Sequence, residues 1–422
     1  MPKLSISAYF PWSRVKVAYH NVTQGTQQAI VRLEPDLRFR PLCYACGQPG
    51  RTVHSHGRKI VRDLPFGGYD MFLQIEYRKV WCDQCGGVRV EQLEFADIDQ
   101  RVTQRLANYA VELCRLGLPV TKVAEHLDLD PKTVKRFEKA ALQAQYGQTD
   151  YQGLKRIAID EIAVKKGHQY MTVVLDYDTG RVVWMGKDRQ IATLDEFFGK
   201  MPESVRHEIV AVAIDMWERT PTATDRGWGP QPYIQAVKRW CPKADIVFDL
   251  FHVVKAFNRV IDDVRNEEFR KADPPGKETL KGTKYLFLKN WGNLTRAEKI
   301  QLNDILAINA RLNTVYWLKD LLAHIWEYHI PGWAEGGLAE WCSVARQDGH
   351  RALVRFAGTL ERYQYGIVNH CKHRLSTSQL EGTNNKIKVI KRVAYGFHDL
   401  EYFALKVKQA LPGRISDVLY DN

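Results

Sequence analysis

Asp160 stands in RIAIDEIAV (156–164), where isoleucine and valine alternate as in a strand heading for a core. A carboxylate in such a strand is costly unless something pairs with it. Two further acids are placed tellingly. Asp215 ends the apolar run EIVAVAID, and Glu381 lies in SQLEGTNNKIKVIKRVAYGF, which has helical spacing. Three such carboxylates suit metal-assisted phosphoryl transfer, in which two divalent cations activate the attacking oxygen and stabilise the leaving one. Mg²⁺ (or Mn²⁺) takes hard oxygen ligands, and its coordination would offset the desolvation of Asp160. Taken singly, each acid has a plainer account: a structural ion pair for Asp160, a loop cap for Asp215, a surface helix position for Glu381. The neighbours of Glu381 argue against the last. Glu381, Asn384, Asn385 and Lys388 share one helical face, and Lys386, Lys388, Lys391 and Arg392 form a track suited to a phosphate backbone. Glu161 points to the other side of its strand and is not counted in the set.

Asp249 and His252, in FDLFHVVK, form a further pair. Two accounts fit them: an auxiliary pair near the metal that orients DNA or a ligand, or a helix cap (Asp249) with a packed histidine.

The cysteines point to a second kind of metal. CYACG holds Cys43 and Cys46, and CDQCG holds Cys82 and Cys85. A two-residue gap lets both thiolates of each knuckle reach one tetrahedral zinc, and the following glycine permits the tight turn. Four thiolates leave no coordination position open, so this Zn²⁺ is structural. The gap from 47 to 81 is longer than usual for a ribbon, and the hairpin RKIVRDL/FLQIEYRKVW fits inside it; His54 and His56 fall on that hairpin's surface. Free core thiols or a redox pair are the alternatives, and two glycine-followed pairs favour zinc.

LPVTKVAEHLDLDPKTVKRFEKA (118–140) has the pattern of a helix-turn-helix. Thr121 is positioned to cap the first helix, and Ala124 is small where two helices must cross. Asp130 followed by Pro131 starts the second. The turn position often held by glycine is Asp128, a residue that also tolerates left-handed backbone. Val134 and Phe137 face the first helix, which leaves Lys132, Lys135, Arg136 and Lys139 for DNA. The alternative is an amphipathic helical pair with a solvated basic face.

These groups need elements to hold them. With 422 residues, 45% of them hydrophobic, the chain is globular and long enough for several domains. The net charge of +12 and pI near 9.2 favour a polyanionic partner. No apolar run reaches membrane-spanning length, and the N-terminus lacks a signal peptide's apolar stretch, which implies a cytoplasmic location. The N-terminal RVKVAY and QAIVRL form a hairpin. From 154 onward, KRIAIDEIAV, QYMTVVLDY and RVVWMGKD read as three antiparallel strands. The helix TLDEFFGKM, the strand EIVAVAID, a Gly/Pro/Thr-rich loop, the helix YIQAVKRW and the strand ADIVFD follow. That is the order of a ribonuclease-H-like α/β layer. Residues 251–375 read as mostly helical and rich in tryptophan. The expected fold is a multidomain α+β chain. It comprises an N-terminal β segment and zinc ribbon (1–95), a helix-turn-helix (96–150), a ribonuclease-H-like domain (151–256 with 371–422) and a helical insertion (257–370).

IAIDEIAVKKGHQYMTVVLDYDTGRV, VAIDMW, IVFDLFHVVKAFNRVIDDVR and LEGTNNKIKVIKRVAYGF together resemble the bacterial insertion-sequence transposases of the IS-L-three family, over roughly residues 40 to 410. The resemblance implies a zinc ribbon, a helix-turn-helix and a DDE catalytic domain whose triad falls on Asp160, Asp215 and Glu381. It further implies binding to terminal inverted repeats, Mg²⁺-dependent strand cleavage and strand transfer to target DNA. It also implies a homodimer or higher oligomer on double-stranded DNA and association with the nucleoid. The loop from Glu218 to Pro232 is longer than expected for the family. A non-catalytic zinc-ribbon/helix-turn-helix regulator and a nuclease that only hydrolyses are the rival functions; the first needs no three-acid set.

Overall fold

The computed structural model describes residues 9–23, 25–97, 100–165, 169–216, 231–375, 378–394 and 396–413. Most of the long loop expected after Met216 lies outside the described residues. The chain divides into two compact units, residues 1–145 and 146–422.

The first unit opens with strands β1 (Val15–Thr23) and β2 (Gln28–Pro35), the expected hairpin. Strands β3 (Thr52–Phe66), β4 (Tyr69–Cys82) and β5 (Gly87–Val90) complete a sheet of order β1-β2-β4-β3, with β5 also on β4. β2 and β4 run parallel and the other pairs antiparallel. Gly67 and Gly68, both at positive φ, make the two-residue turn between β3 and β4. Alternation along β2 and β4 buries Ala29, Val31 and Leu33 with Met71, Leu73 and Ile75 on one face, under Phe10 and Phe95.

Three helices follow: α1 (Gln104–Arg115), α2 (Val120–Leu127) and α3 (Pro131–Tyr146). Val123, Ala124 and Leu127 of α2 meet Val134 and Phe137 of α3 and Leu106 and Ala110 of α1 in one core. Asp128 takes the left-handed conformation at the turn (φ 48°), and the Asp130 carboxylate accepts from the Lys132 amide at 2.8 Å, both as expected. Thr121 is not the cap of α2. The helix starts two residues earlier than that cap would set it, at Val120 behind Pro119, whose fixed φ suits that entry and which offers no side-chain bond.

One buried acid ties these helices to the sheet. Asp63 of β3 is fully buried and accepts from the Thr103 hydroxyl at 2.7 Å and from Arg105. Thr103 in turn caps α1 through the Leu106 amide, and the Arg105 guanidinium lies 4.4 Å from the Tyr9 ring centroid.

The second unit is a mixed α/β layer. Strands β6 (Arg156–Lys165), β7 (Gln169–Asp176) and β8 (Val182–Lys187) form an antiparallel meander, and β9 (Ala211–Ile214) and β10 (Asp245–Phe248) extend it in parallel, giving the order β10-β9-β6-β7-β8. The helices between β8 and β10 are α4 (Ile191–Lys200), α5 (Glu203–Glu208) and α6 (Gln231–Trp240). β9 is shorter than EIVAVAID suggested, because Glu208 ends α5. Ile157, Ile159, Val174, Val212 and Ile214 share a core with Leu194, Phe197 and Phe198 of α4 and Val237 of α6.

Beyond β10 the described residues are helical: α7 (Leu250–Lys271), α8 (Pro274–Leu280), α9 (Lys284–Leu288), α10 (Arg296–Ile308), α11 (Ala310–Ile325), α12 (Pro331–Asp348), α13 (Arg351–Arg362), α14 (Gln364–Val368), α15 (His370–His373), α16 (Ser378–Val393) and α17 (Leu400–Ala410), with one short 3₁₀ turn (Trp291–Asn293). Trp341 is fully buried between Phe257 and Phe356, and its indole N–H donates to the Leu318 carbonyl at 2.7 Å. α16 packs on β6 and α17 on β8. Among the described residues no helix is long and apolar enough to cross a membrane.

Asp63→Ala removes the acceptor of the buried Thr103 hydroxyl and of the half-buried Arg105 guanidinium. It should destabilise the first unit by about 3 kcal/mol, read as an earlier urea transition of the full chain. A change below about 1 kcal/mol would mean that the Asp63 network does not tie the sheet to α1.

Candidate active site

Strand pairing decides where the acids stand. Between β6 and β9 the last paired residues are Ala158 and Ala213, and two positions further along each strand stand Asp160 and Asp215. Between β9 and β10 the last pair is Ile214 and Phe248, and the next positions are Asp215 and Asp249. Facing residues of adjacent parallel strands project to the same side, about 4.8 Å apart. Asp160, Asp215 and Asp249 therefore form a row across three neighbouring strands. The row lies on the face opposite Ile157 and Ile159.

Each acid in the row has a donor. Asp160 is half-buried: its Oδ1 accepts from the Glu161 amide at 2.7 Å and its Oδ2 from the Asn384 side-chain amide at 2.5 Å. Asp249 is buried at the start of α7, where its carbonyl accepts from the Val253 amide and its carboxylate lies 3.1 Å from His252 Nδ1. The other ring nitrogen, Nε2, is 3.5 Å from Asp215. Burial would pull the His252 pKa down, but the carboxylates of Asp249, Asp215 and Asp160 outweigh it and hold it above the ordinary histidine value. His252 is thus a bridge between two acids of the row, more than a packed neighbour of a helix cap.

Helix α16 covers this face. Asn384 reaches Asp160, and the Lys391 ammonium donates to the Ala163 carbonyl of β6 at 2.8 Å. Glu381, exposed, sits one turn before Asn384 on the same helix. Of the basic residues expected on this helix to meet DNA, Lys386, Lys388 and Arg392 are exposed, whereas Lys391 is half-buried and holds β6. Sequence reading placed Asn384 on the face of Glu381 but gave it no task; the three-residue spacing from Glu381 was the available signal.

Glu161 faces the other way, as expected. Burial pushes its carboxyl up against the pull of Arg189, whose guanidinium is 3.4 Å away and lies over the Tyr170 ring. Tyr233 of α6 also bonds Glu161 and meets the Thr172 hydroxyl at 2.8 Å.

Among the described residues, one group brings three or more Cys, His, Asp or Glu ligand atoms within 4.8 Å of one another: Cys43, Cys46, Cys82 and Cys85. Asp160, Asp215 and Glu381 do not form such a group; Asp160 is held by two amides, and Asp215 and Asp249 flank the His252 imidazole. The four sulfurs come together because Gly47 and Gly86, both at positive φ, turn the chain after each pair, and because β4 and β5 carry the second pair back to the first. Burial would raise the Cys43 thiol, but backbone N–H groups of Cys46 and Ala45 bring it down to about 7. A closed cluster of four sulfurs suits a structural Zn²⁺.

On α3, Lys132 and Arg136 are exposed, and Lys135 and Lys139 are half-buried with partners of their own. Arg136 and Thr133 border a cleft of about 370 Å³ that Arg62 and Arg101 also line, together with Asp128 and Asp130.

Known proteins are similar to this chain in sequence. Residues 157–407 match the transposase domain of the ISL3 family, and residues 91–139 match the helix-turn-helix domain of transposase family ISL3. The transposase for insertion sequence element IS1001 of Bordetella parapertussis is 41% identical over 375 residues, covering 88% of this chain and 89% of that protein. The transposase for insertion sequence element IS1557 of Mycobacterium tuberculosis is 28% identical over 397 residues, covering 88% of this chain and 85% of its own length. With more than half of its residues in the transposase domain and a helix-turn-helix of the same family before it, the chain belongs to the ISL3 family of insertion-sequence transposases.

Proposed function

We propose that the chain binds the terminal inverted repeats of an insertion sequence and carries out cleavage and strand transfer through a DDE triad, Asp160, Asp215 and Glu381, in a ribonuclease-H-like domain. The observation that carries this reading is the strand register, which sets Asp160 beside Asp215 under the helix of Glu381. The order β10-β9-β6-β7-β8, with one antiparallel meander and two parallel strands, supports the fold assignment. We divide the chain into a β segment with zinc ribbon (1–95), a helix-turn-helix (96–150), the catalytic domain (151–256 with 371–422) and a helical insertion (257–370).

The donor set fits a hard divalent cation, Mg²⁺ or Mn²⁺. Its groups are carboxylate oxygens, and the negative charge of the row is offset only in part, by one imidazole. Bound there, such cations would supply the Lewis acidity that polarises a scissile phosphate and makes an attacking water or 3′-hydroxyl nucleophilic. The chain's own residues do the rest. Asp160 and Asp215, on neighbouring strands, supply rigid oxygen ligands. Glu381 adds a third from the helix above. His252 aims Asp215 while Asp249 aims His252, an auxiliary pair that need not touch DNA. Lys386, Lys388 and Arg392 take DNA phosphates beside the acids, and Lys132, Lys135, Arg136 and Lys139 hold the element ends. Zn²⁺ at Cys43, Cys46, Cys82 and Cys85 stiffens the sheet that supports the helix-turn-helix. The acting form is a homodimer or higher oligomer on DNA, since two ends must be joined to one target, and the protein works on the bacterial nucleoid.

Purified protein incubated with labelled element ends, Mg²⁺ and a plasmid target tests the reading: joined products support a transposase. Cut ends without joining would reduce it to a nuclease, and bound DNA alone to a regulator. Asp160→Asn, Asp215→Asn and Glu381→Gln should each abolish cleavage and joining while end binding persists in a gel-shift assay. Any variant that still cuts removes that residue from the triad.

Lys132→Ala with Arg136→Ala should weaken end binding and flatten its dependence on salt by about 0.9 in log–log slope for each phosphate that is no longer neutralised. An unchanged slope would free α3 of that role. Stripping zinc with a thiol-competitive chelator should release one metal per chain, seen by atomic absorption, and lower the temperature at which the first unit unfolds. A metal-free protein that melts unchanged would make the cysteines bystanders.

A further inference from the structure

We infer that Asn384 is a positioning residue for the reaction: its side-chain amide aims Asp160 and sets the register of α16, and so the placement of Glu381, on β6. The inference rests on the reading above of Asp160, Asp215 and Glu381 as the acting carboxylates.

Helix α16 carries two stripes that do different work. Leu380, Thr383 and Ile387, at spacings of three and four, are buried and give the helix its adhesion. Beside them, Asn384 and Lys391, seven residues and thus two turns apart, are pinned to two points of β6: Asp160 Oδ2 at 2.5 Å and the Ala163 carbonyl at 2.8 Å. Apolar packing alone tolerates small rotations and slides, because it is not directional. Two hydrogen bonds to fixed strand positions do not, since such bonds weaken steeply with misalignment. Glu381 lies one turn from Asn384, so the pin nearest the acid governs where its carboxylate stands.

The Asn384 amide also settles the plane of the Asp160 carboxylate. With the Glu161 N–H on Oδ1 and the Asn384 N–H on Oδ2, both oxygens are held, and each keeps a further lone pair for a ligand. A neutral amide does this without changing the charge of the site. A lysine there would neutralise Asp160, and an aspartate would set two carboxylates against each other. Asn385, next in the chain, is exposed and about 100° away around the helix, so it cannot take over the role.

The test uses the full-length protein, labelled element-end DNA and an Mg²⁺ titration. Asn384→Ala should cut with a rate lower by about 10- to 100-fold and need more Mg²⁺ for half-maximal rate. Its end binding and unfolding should stay unchanged, because Leu380, Thr383 and Ile387 still hold α16. Asn384→Asp, of equal size, should lose at least as much activity. Wild-type rate and Mg²⁺ requirement in Asn384→Ala would overturn the inference. So would an Asn384→Asp protein that cuts as well as wild type with less Mg²⁺, which would make position 384 a ligand. Loss of end binding or of folding in both variants would make Asn384 merely structural and would also overturn it. Asp160→Asn, Asp215→Asn and Glu381→Gln run alongside separate the two ideas. If they cut normally, the triad reading fails. If they are inactive while Asn384→Ala is normal, only the role of Asn384 fails.

Discussion

The parallel pairing of β6, β9 and β10 is the constraint from which the candidate site follows. Parallel strands in register carry facing residues on the same side of the sheet, one strand spacing apart. Once Arg156 pairs with Ala211 and Asp245 with Ala211 on its other edge, Asp160, Asp215 and Asp249 have nowhere to go but one row. The same pairing sends Ile157, Ile159, Val212 and Ile214 to the opposite face, where α4 and α6 cover them. A slip of one residue would turn the acids into the core and the isoleucines out of it, so burial of the apolar face enforces the register of the acidic one.

A row of like charges at a strand spacing is unfavourable, and the surrounding elements are arranged to bear it. His252 stands between Asp215 and Asp249, and Asn384 and a backbone amide hold Asp160. Behind the sheet, Glu161 is engaged by Arg189 and Tyr233, so the next residue of the same strand adds no unbalanced charge on the far side.

The first unit solves a different problem with the same economy. A small twisted sheet and three short helices have little core between them. A buried acid, Asp63, joins β3 to the cap of α1 through Thr103 and Arg105, and Arg62 of the same strand reaches Asp128 at the turn between α2 and α3 at 2.9 Å. The helices that present basic residues are thereby braced on the sheet that brings the cysteine pairs together. The buried Arg78–Glu91 pair, with Glu91 also accepting the Arg78 amide, fastens the strand that follows the second cysteine pair.

Local chemistry was legible in the chain because it is set by residues near one another. The glycine after each cysteine pair, Asp130 before Pro131, left-handed Asp128 and the extended runs of β6 and β7 all rest on short-range sterics and hydrogen bonding. Each took the form its spacing implied. Errors fell where two local preferences competed: Pro119 starts α2 ahead of Thr121, and α5 takes Glu208, which reads as the start of a strand. Family membership was legible for the related reason that ordered motifs along a chain are a linear property. The geometry by which residues far apart in the chain meet was not, because no periodicity encodes it. Only the folded sheet brought Asp215 beside Asp160. Only the packing of α16 turned Asn384 onto Asp160 and drew Lys391 from the expected DNA track to a strand carbonyl, and only the end of β10 set His252 between two acids. Side-chain types fix what chemistry is available; the long-range register of strands and helices decides which of those groups meet.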